Sequence, residues 1–173
     1  MLAEQLDRPE YRTTGAALAA AFDIPDGKFP PMDYESSIKT TKSGLLNSVE
    51  SSVHGAGILL IVRNNITNLH FLALRACFLP NSLSGAEQLM LMGYVRDRMK
   101  HDVPHSFIRS HSMPLWARLE GDYKTLSEWS NELDISLRTL ERRSSEVNKI
   151  LSQLRHNAMR SAEKILVDYQ VVE

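Results

Sequence analysis

The chain has 173 residues, which is enough for one domain with a smaller appendage and for a core that needs no disulfide or metal. Its 20 lysine and arginine residues nearly balance its 21 aspartate and glutamate residues, so overall charge argues against a protein that coats nucleic acid but leaves room for a local basic face. The single cysteine, Cys77, excludes an intrachain disulfide and is expected to be a buried apolar residue of a cytoplasmic protein.

The apolar segments of the chain are too short to predict a membrane partner. The longest run, residues 56–62, falls far below the roughly 20 residues that span a bilayer. Residues 1–7 contain acidic side chains and lack the basic-then-apolar order of a signal peptide. We therefore expect a soluble protein.

Residues 1–42 are predicted to form an N-terminal arm and linker. A short helix over residues 15–22, capped by Thr14, is followed by a proline-rich loop over residues 23–33. Each proline there removes a backbone donor and restricts the residue before it, which favours a loop.

Residues 43–120 are predicted to form a helical body, because apolar residues recur there at helical spacing. Ser82 and Ser84 are candidate caps for its third helix, which would end near Lys100. That helix is expected to use Leu83, Leu89, Met90, Met92, Val95 and Met99 as its apolar residues. The other helical segments would cover residues 43–63, 66–79, 104–109 and 115–119.

The most informative segment is residues 125–145, which predicts two helices joined by a tight turn. Thr125 and Glu128 have the spacing of a capping box, in which each side chain bonds the backbone of the other residue. Asp134 follows the first helix, where a residue tolerant of left-handed backbone geometry is needed. Ser136 is the expected cap of the second helix. The inward-facing residues would be Leu126, Trp129, Leu133, Ile135, Leu137 and Leu140.

The second of these helices is expected to present its outer face to a DNA groove. Arginine suits this role because it pairs with guanine edges through two hydrogen bonds and also neutralises phosphates. Glu141 could accept a hydrogen bond from a cytosine amine or pair with Arg138 on its own helix. The predicted base contacts are Arg138, Thr139 and Arg142, the predicted backbone contacts are Arg143 and Lys149, and Ser136 belongs to the same DNA-binding set.

This segment resembles the helix-turn-helix of bacterial regulators, of the sigma-factor region 4 type and of the first motif in AraC-like activators. Ser130 replaces the usual small alanine of the first helix, and Asp134 replaces the usual turn glycine. The resemblance implies DNA binding and covers residues 125–145 only. The matching residues are Leu126, Trp129, Leu133, Ile135, Ser136, Arg138, Thr139, Leu140 and Arg143.

The layout of the whole chain is similar to that of phage late-gene antitermination proteins of the Q class. These proteins likewise place a sigma-like helix-turn-helix near the end of a small helical protein. The resemblance implies a phage regulator that binds DNA near a late promoter and loads onto RNA polymerase.

Residues 146–169 predict a long terminal helix, because they lack proline and glycine. Its apolar residues recur at alternating spacings of four and three, as in a coiled-coil seam. Two interpretations are open: the seam packs on the chain's own helices, or it forms a homodimer suited to a two-fold DNA site. The seam residues are Val147, Leu151, Leu154, Ala158, Ser161 and Ile165.

The remaining chemistry-bearing residues do not predict a metal site, a cofactor or an enzyme. His101 and His105 have ligand spacing, but Pro104 lies between them, and with His111 they match no metal-binding motif. His54 precedes a glycine pair that lacks the lysine of a phosphate-binding loop, so those glycines are expected to allow close helix packing or a bend.

The sequence therefore predicts an all-α protein with a helical body, a C-terminal helix-turn-helix and a long terminal helix, the last two within residues 121–173. The predicted function is sequence-specific DNA-binding regulation of transcription. The alternative is a protein-binding adaptor or anti-repressor whose helix-turn-helix docks on protein.

Overall fold

In the computed structural model of the protein, the described residues are 11–22, 48–79, 82–111 and 124–172, with the backbone alone described for residues 48–53. Every regular element in these ranges is a helix, so the predicted all-α class is confirmed. None of the helices in these ranges is both long and apolar enough to cross a membrane. The helices are α1 (Thr14–Ala21), α2 (Ser48–Asn65), α3 (Asn68–Phe78), α4 (Gly85–Arg96), α5 (His105–His111), α6 (Leu126–Leu133) and α7 (Leu137–Asp168).

Several sequence-based predictions fall outside the described residues. These are the loop over residues 23–33, the helix over residues 115–119 and the first part of the helix predicted from residue 43. The predicted domain boundaries at residues 42 and 120 lie in the same undescribed stretches and stay predictions.

The described part of the chain divides into two compact units. The first unit contains α1, α2, the first turn of α3 and the last part of α7, and the second contains the rest of α3 together with α4, α5, α6 and the first part of α7. In the first unit, the Tyr11 amide donates to the Val171 carbonyl at 2.9 Å, which joins the two ends of the described chain. The buried apolar residues of this unit are Ala17, Leu18, Ala19, Phe22, Ile58, Val62, Ala158, Ala162, Leu166, Val171 and Val172.

Two details of the first unit differ from the prediction. Thr13, rather than Thr14, caps α1 by accepting from the Ala16 amide at 3.2 Å, and Thr14 is buried. Helix α2 ends at Asn65 rather than at residue 63, and the Asn65 side-chain amide donates to the Ile61 carbonyl at 2.8 Å.

Gly55 allows the close approach of α2 to α1. A Cβ atom at this position would lie 3.1 Å from the Ala21 Cα and 3.3 Å from the Ala20 carbonyl oxygen, whereas one at Gly57 would meet nothing within 4 Å. The expectation of close helix packing is confirmed for Gly55, and Gly57 has no such role among the described residues.

The second unit contains a capping box, an ion pair between two helices and an apolar core. Ser84 and Glu87 form a capping box at the start of α4, and Glu87 also pairs with Arg75 of α3. The Ser84 backbone hydrogen bond holds the pKa of the Glu87 carboxyl below its ordinary value. The core residues are Leu72, Ala73, Leu74, Ala76, Cys77, Phe78, Leu83, Leu91, Met92, Val95, Val103, Phe107, Ile108, Trp129, Leu140, Val147, Leu151 and Leu154.

The apolar face of α4 is only partly as predicted. Met92 and Val95 are buried, but Leu89 and Met90 are exposed, and Leu91 takes the inward position that they were expected to share. Residues 91, 92 and 95 lie at helical spacing on one face, which turns residues 89 and 90 outward. Cys77 is buried as expected, and this burial raises the pKa of its thiol to about 12, so it does not form a reactive thiolate.

Helix α7 is one unbroken helix of 32 residues. The prediction treated the second helix of the helix-turn-helix and the terminal helix as separate elements that meet near residue 146. The structure joins them, because no proline, glycine or cap residue in left-handed geometry interrupts residues 137–168.

The buried side of α7 follows the predicted seam at first and then departs from it. Val147, Leu151, Leu154 and Ala158 are buried as predicted, but Ala162 and Leu166 replace the expected residues at positions 161 and 165. From Leu154 onward the buried residues recur every four positions, and each such step advances about 40° around a helix of 3.6 residues per turn, so the buried side turns away from the seven-residue seam. Ser161 is half-buried and shares a hydrogen bond of 3.1 Å with His70 of α3. The seam is covered within the chain, which favours the first of the two interpretations.

Candidate nucleic-acid interface

Helix α6 begins with the capping box that the sequence predicts. The Thr125 hydroxyl accepts from the Glu128 amide at 3.2 Å, and the Glu128 carboxylate accepts from the Thr125 amide at 2.6 Å. The Thr125 amide is the main reason that the pKa of the Glu128 carboxyl lies below its ordinary value of 4.5. The start of α6 is therefore fixed by its own sequence.

Trp129 anchors α6 in the core of the second unit. Its ring is 2% exposed and meets the Phe107 ring edge-on at a centroid distance of 5.7 Å. The Lys124 ammonium lies 4.8 Å from the centroid of the same indole ring. Among the described residues, the indole Nε1 has no hydrogen-bond partner, so packing rather than hydrogen bonding holds this side chain.

Asp134 forms the turn between α6 and α7. Its backbone has φ 52° and ψ 42°, the left-handed geometry that the prediction required at this position. The Asp134 amide bonds the Ser130 carbonyl, and the Ile135 amide donates to the same oxygen at 3.2 Å. A tight turn held by two backbone hydrogen bonds therefore separates the two helices.

Ser130 has a role in this turn that the sequence alone did not suggest. Its hydroxyl donates to the Ile135 carbonyl at 2.7 Å, which closes the turn from the side of α6. An alanine, the residue usual in the helix-turn-helix pattern, could not make this bond. The departure from the pattern is therefore matched to the turn itself.

Ser136 and Thr139 are used by the start of α7. The Thr139 amide donates to the Ser136 carbonyl and lies 3.4 Å from its hydroxyl, and the two hydroxyls share a hydrogen bond of 2.9 Å. Ser136 is exposed and Thr139 is half-buried. The hydroxyl groups of two predicted DNA-contacting residues therefore already make hydrogen bonds within the protein.

Arg138, Arg142 and Lys149 lie on the outer face of α7. All three are exposed, and they follow one another at spacings of four and seven, which keeps them on one side of a helix. Among the described residues, neither Arg138 nor Arg142 has an ion pair or hydrogen bond, and the suggested Glu141–Arg138 pair is not formed. The structure therefore brings together three of the six predicted DNA-binding residues as a basic stripe.

Arg143 lies apart from this stripe. It is half-buried, and its Nε is enclosed with no hydrogen-bond partner among the described residues. Phosphate binding by Arg143 stays a prediction, and its terminal guanidinium nitrogens, rather than Nε, would make the contact.

Leu137 corrects one of the packing predictions. It was expected to pack inward with Leu140, but Leu140 is fully buried whereas Leu137 is 46% exposed. Leu137 is the first residue of α7, and the buried stripe of that helix begins at Leu140 and continues through Val147 and Leu151. An exposed apolar side chain therefore stands beside Arg138.

The turn between α4 and α5, residues 97–104, also contacts α7. The Lys100 amide donates to the Glu146 carboxylate at 3.1 Å, although the two residues are 46 positions apart. Such a long-range contact leaves no periodic pattern in the sequence, and sequence reasoning missed it.

The histidines do not form a metal site in the described residues, where no group of three or more His, Cys, Asp or Glu side chains could hold an ion. His101 is exposed, whereas His111 is buried and stacks on Phe107 at a ring-centroid distance of 4.5 Å.

Comparisons with protein-family models, with curated proteins and with solved structures find no match to this chain.

Proposed function

We propose that this protein is a sequence-specific DNA-binding regulator of transcription in which the first turns of α7 enter the major groove. The observation that carries the proposal is the basic stripe formed by Arg138, Arg142 and Lys149, directly after the bend at Asp134. A bend of this kind frees the start of the second helix to project into a groove. Exposed arginines there have the donors that guanine edges and phosphates accept.

The position of Arg138 is unfavourable for the fold alone. The first turn of α7 contains no acidic residue, although negative charge is what the helix dipole favours there. Arg138 instead places a positive charge in that turn. A residue choice that weakens local stability is typical of a functional surface, and an anionic partner would relieve this effect.

A protein-binding adaptor or anti-repressor is the second candidate, and the exposure of Leu137 favours it. An apolar side chain at the start of α7 suits a protein surface as well as a thymine methyl group. A phage antiterminator that also grips RNA polymerase is a narrower form of the first proposal. Transcription through a terminator in a purified system would test that form.

Selection of bound duplexes from a random library with purified protein tests the proposal. We expect enrichment of a defined site whose affinity falls steeply with salt, because phosphate contacts release counterions. The double variant Arg138→Ala with Arg142→Ala should lose the preference for that site. Arg160→Ala with Lys164→Ala, which removes two exposed positive charges further along the same helix, is the matched control and should retain it.

Two results would contradict the proposal. One is a selection that enriches no sequence while the protein is folded. The other is an Arg138 and Arg142 double variant that binds the selected site as well as the Arg160 and Lys164 double control does. Binding of a protein partner that is lost with Leu137→Ala would instead favour the adaptor.

A further inference from the structure

We infer that the turn between α4 and α5 is a second DNA-binding element, which contacts phosphates at the rim of the groove that α7 enters. The inference rests on the proposed function and extends it to a part of the chain outside the helix-turn-helix. The partner is the sugar-phosphate backbone of duplex DNA, without regard to base sequence.

The turn is held against the flank of α7 by a specific hydrogen bond. The Lys100 amide donates to the Glu146 carboxylate at 3.1 Å, and Glu146 is half-buried on α7. Because the backbone of Lys100 makes this bond, its side chain stays exposed. The contact therefore fixes where the turn lies without consuming the charge of the lysine.

The place of this contact on α7 brings the turn beside the basic stripe. Glu146 lies one helical turn after Arg142 and one turn before Lys149, so all three are neighbours on the helix surface. A helix with its side chains is about 10–12 Å across, and the major groove is about 12 Å wide. A helix that fills the groove turns its flanks toward the phosphates, so an element held on the flank lies at the groove rim.

The side chains of the turn suit phosphate. Arg98, Lys100 and His101 are exposed. The Arg98 guanidinium lies 3.6 Å from the Tyr94 ring centroid and donates to the Tyr94 carbonyl, so its side chain is already ordered before a partner binds. Asp97 is exposed as well and reduces the positive charge of Arg98 and Lys100 without cancelling it.

The ion pair between Arg96 and Asp102 determines which cations of the turn can bind phosphate. These two side chains form an ion pair at 3.0 Å across the turn. Arg96 is thereby committed to the turn's own structure, and Arg98 and Lys100 are the cations left to meet phosphate. Phosphate contacts of this kind position a protein on DNA and carry no sequence information.

The test measures binding of the selected site and of an unrelated duplex across a range of salt concentrations. Arg98→Ala and Lys100→Ala should each weaken both complexes alike and reduce the slope of log affinity against log salt by about 1. Glu146→Gln keeps an acceptor oxygen for the Lys100 amide and removes a negative charge near the phosphates, so it should strengthen both complexes. Lys164→Ala, which replaces an exposed lysine further along α7, makes the same change in net charge as Arg98→Ala and Lys100→Ala and serves as their control.

Salt slopes for Arg98→Ala and Lys100→Ala that equal the slope of Lys164→Ala would overturn the inference. If the Arg138 and Arg142 variants still lose the selected site in that case, the proposed function stands and only the second element fails. If the wild-type protein binds no duplex at any salt concentration, the proposed function fails first. Circular dichroism of each variant separates a lost contact from a lost fold.

Discussion

Replacing Trp129 by alanine should strongly destabilise the second unit. The indole is 2% exposed, and truncation of a buried tryptophan to alanine typically costs about 3–5 kcal/mol through lost burial and the cavity left behind. The edge-on contact with Phe107 is part of that loss, since aromatic pairs contribute about 0.5–1.5 kcal/mol beyond area burial. We expect about 4 kcal/mol for Trp129→Ala.

Replacing the same residue by phenylalanine should cost much less. Phenylalanine keeps most of the buried ring and the contact with Phe107. It also removes an indole N–H that has no hydrogen-bond partner among the described residues, and an unpaired buried donor costs about 1–3 kcal/mol. The lost volume and the lost donor therefore nearly offset each other, and we expect a net change of at most about 1 kcal/mol.

Urea denaturation followed by circular dichroism measures both changes in the free energy of unfolding. Leu89→Ala is the control, because this leucine is exposed on α4 and should change stability by less than about 0.5 kcal/mol. A Trp129→Phe variant as unstable as Trp129→Ala would refute the reasoning, since it would mean that the indole nitrogen makes a stabilising bond.

Three further predictions concern stability. Gly57→Ala should raise the free energy of unfolding by up to about 1 kcal/mol through helix propensity. Gly55→Ala should gain less or lose stability, because its Cβ meets the α1 backbone. Thermal unfolding of the two variants checks this prediction, and equal gains in stability would contradict it. Glu128 has a lowered pKa in the folded state, so its contribution is present above the ordinary value of 4.5 and is lost as pH falls through the folded pKa. The urea midpoint should thus decline less steeply with acid in Glu128→Gln than in the wild type, and identical slopes would refute the role of this carboxylate. Asp134→Ala should cost about 1 kcal/mol because alanine tolerates left-handed geometry poorly, while Asp134→Gly should be close to neutral; a neutral alanine variant would argue against this turn geometry.

The features that the sequence predicts well are those set by nearby residues. The capping box of Thr125 and Glu128 and the left-handed turn at Asp134 involve residues within one helical turn of each other, so their geometry follows from local chemistry. The outward position of Arg138 and Arg142 follows from helical periodicity once the start of α7 is known.

The features that the sequence does not predict depend on distant contacts or on the length of an element. The bond between Lys100 and Glu146 joins residues far apart in the chain and uses a backbone donor, which has no residue-type signature. The buried stripe of α7 shifts from residues 161 and 165 to residues 162 and 166 because its buried positions recur every four residues after Leu154, which a seven-residue repeat does not predict. Leu137 is exposed at the first position of α7, before the buried stripe begins at Leu140.

The most direct test of the central claim is the affinity of the protein for its selected site and for the same site containing 7-deazaguanine, which lacks the N7 acceptor in the major groove. If Arg138 pairs with a guanine edge, the wild-type protein should bind the modified site several-fold more weakly, since a bidentate contact is worth about 1–3 kcal/mol of discrimination. The double variant Arg138→Ala with Arg142→Ala should bind both sites equally. Equal binding of the two sites by the wild-type protein at every guanine would contradict entry of α7 into the major groove.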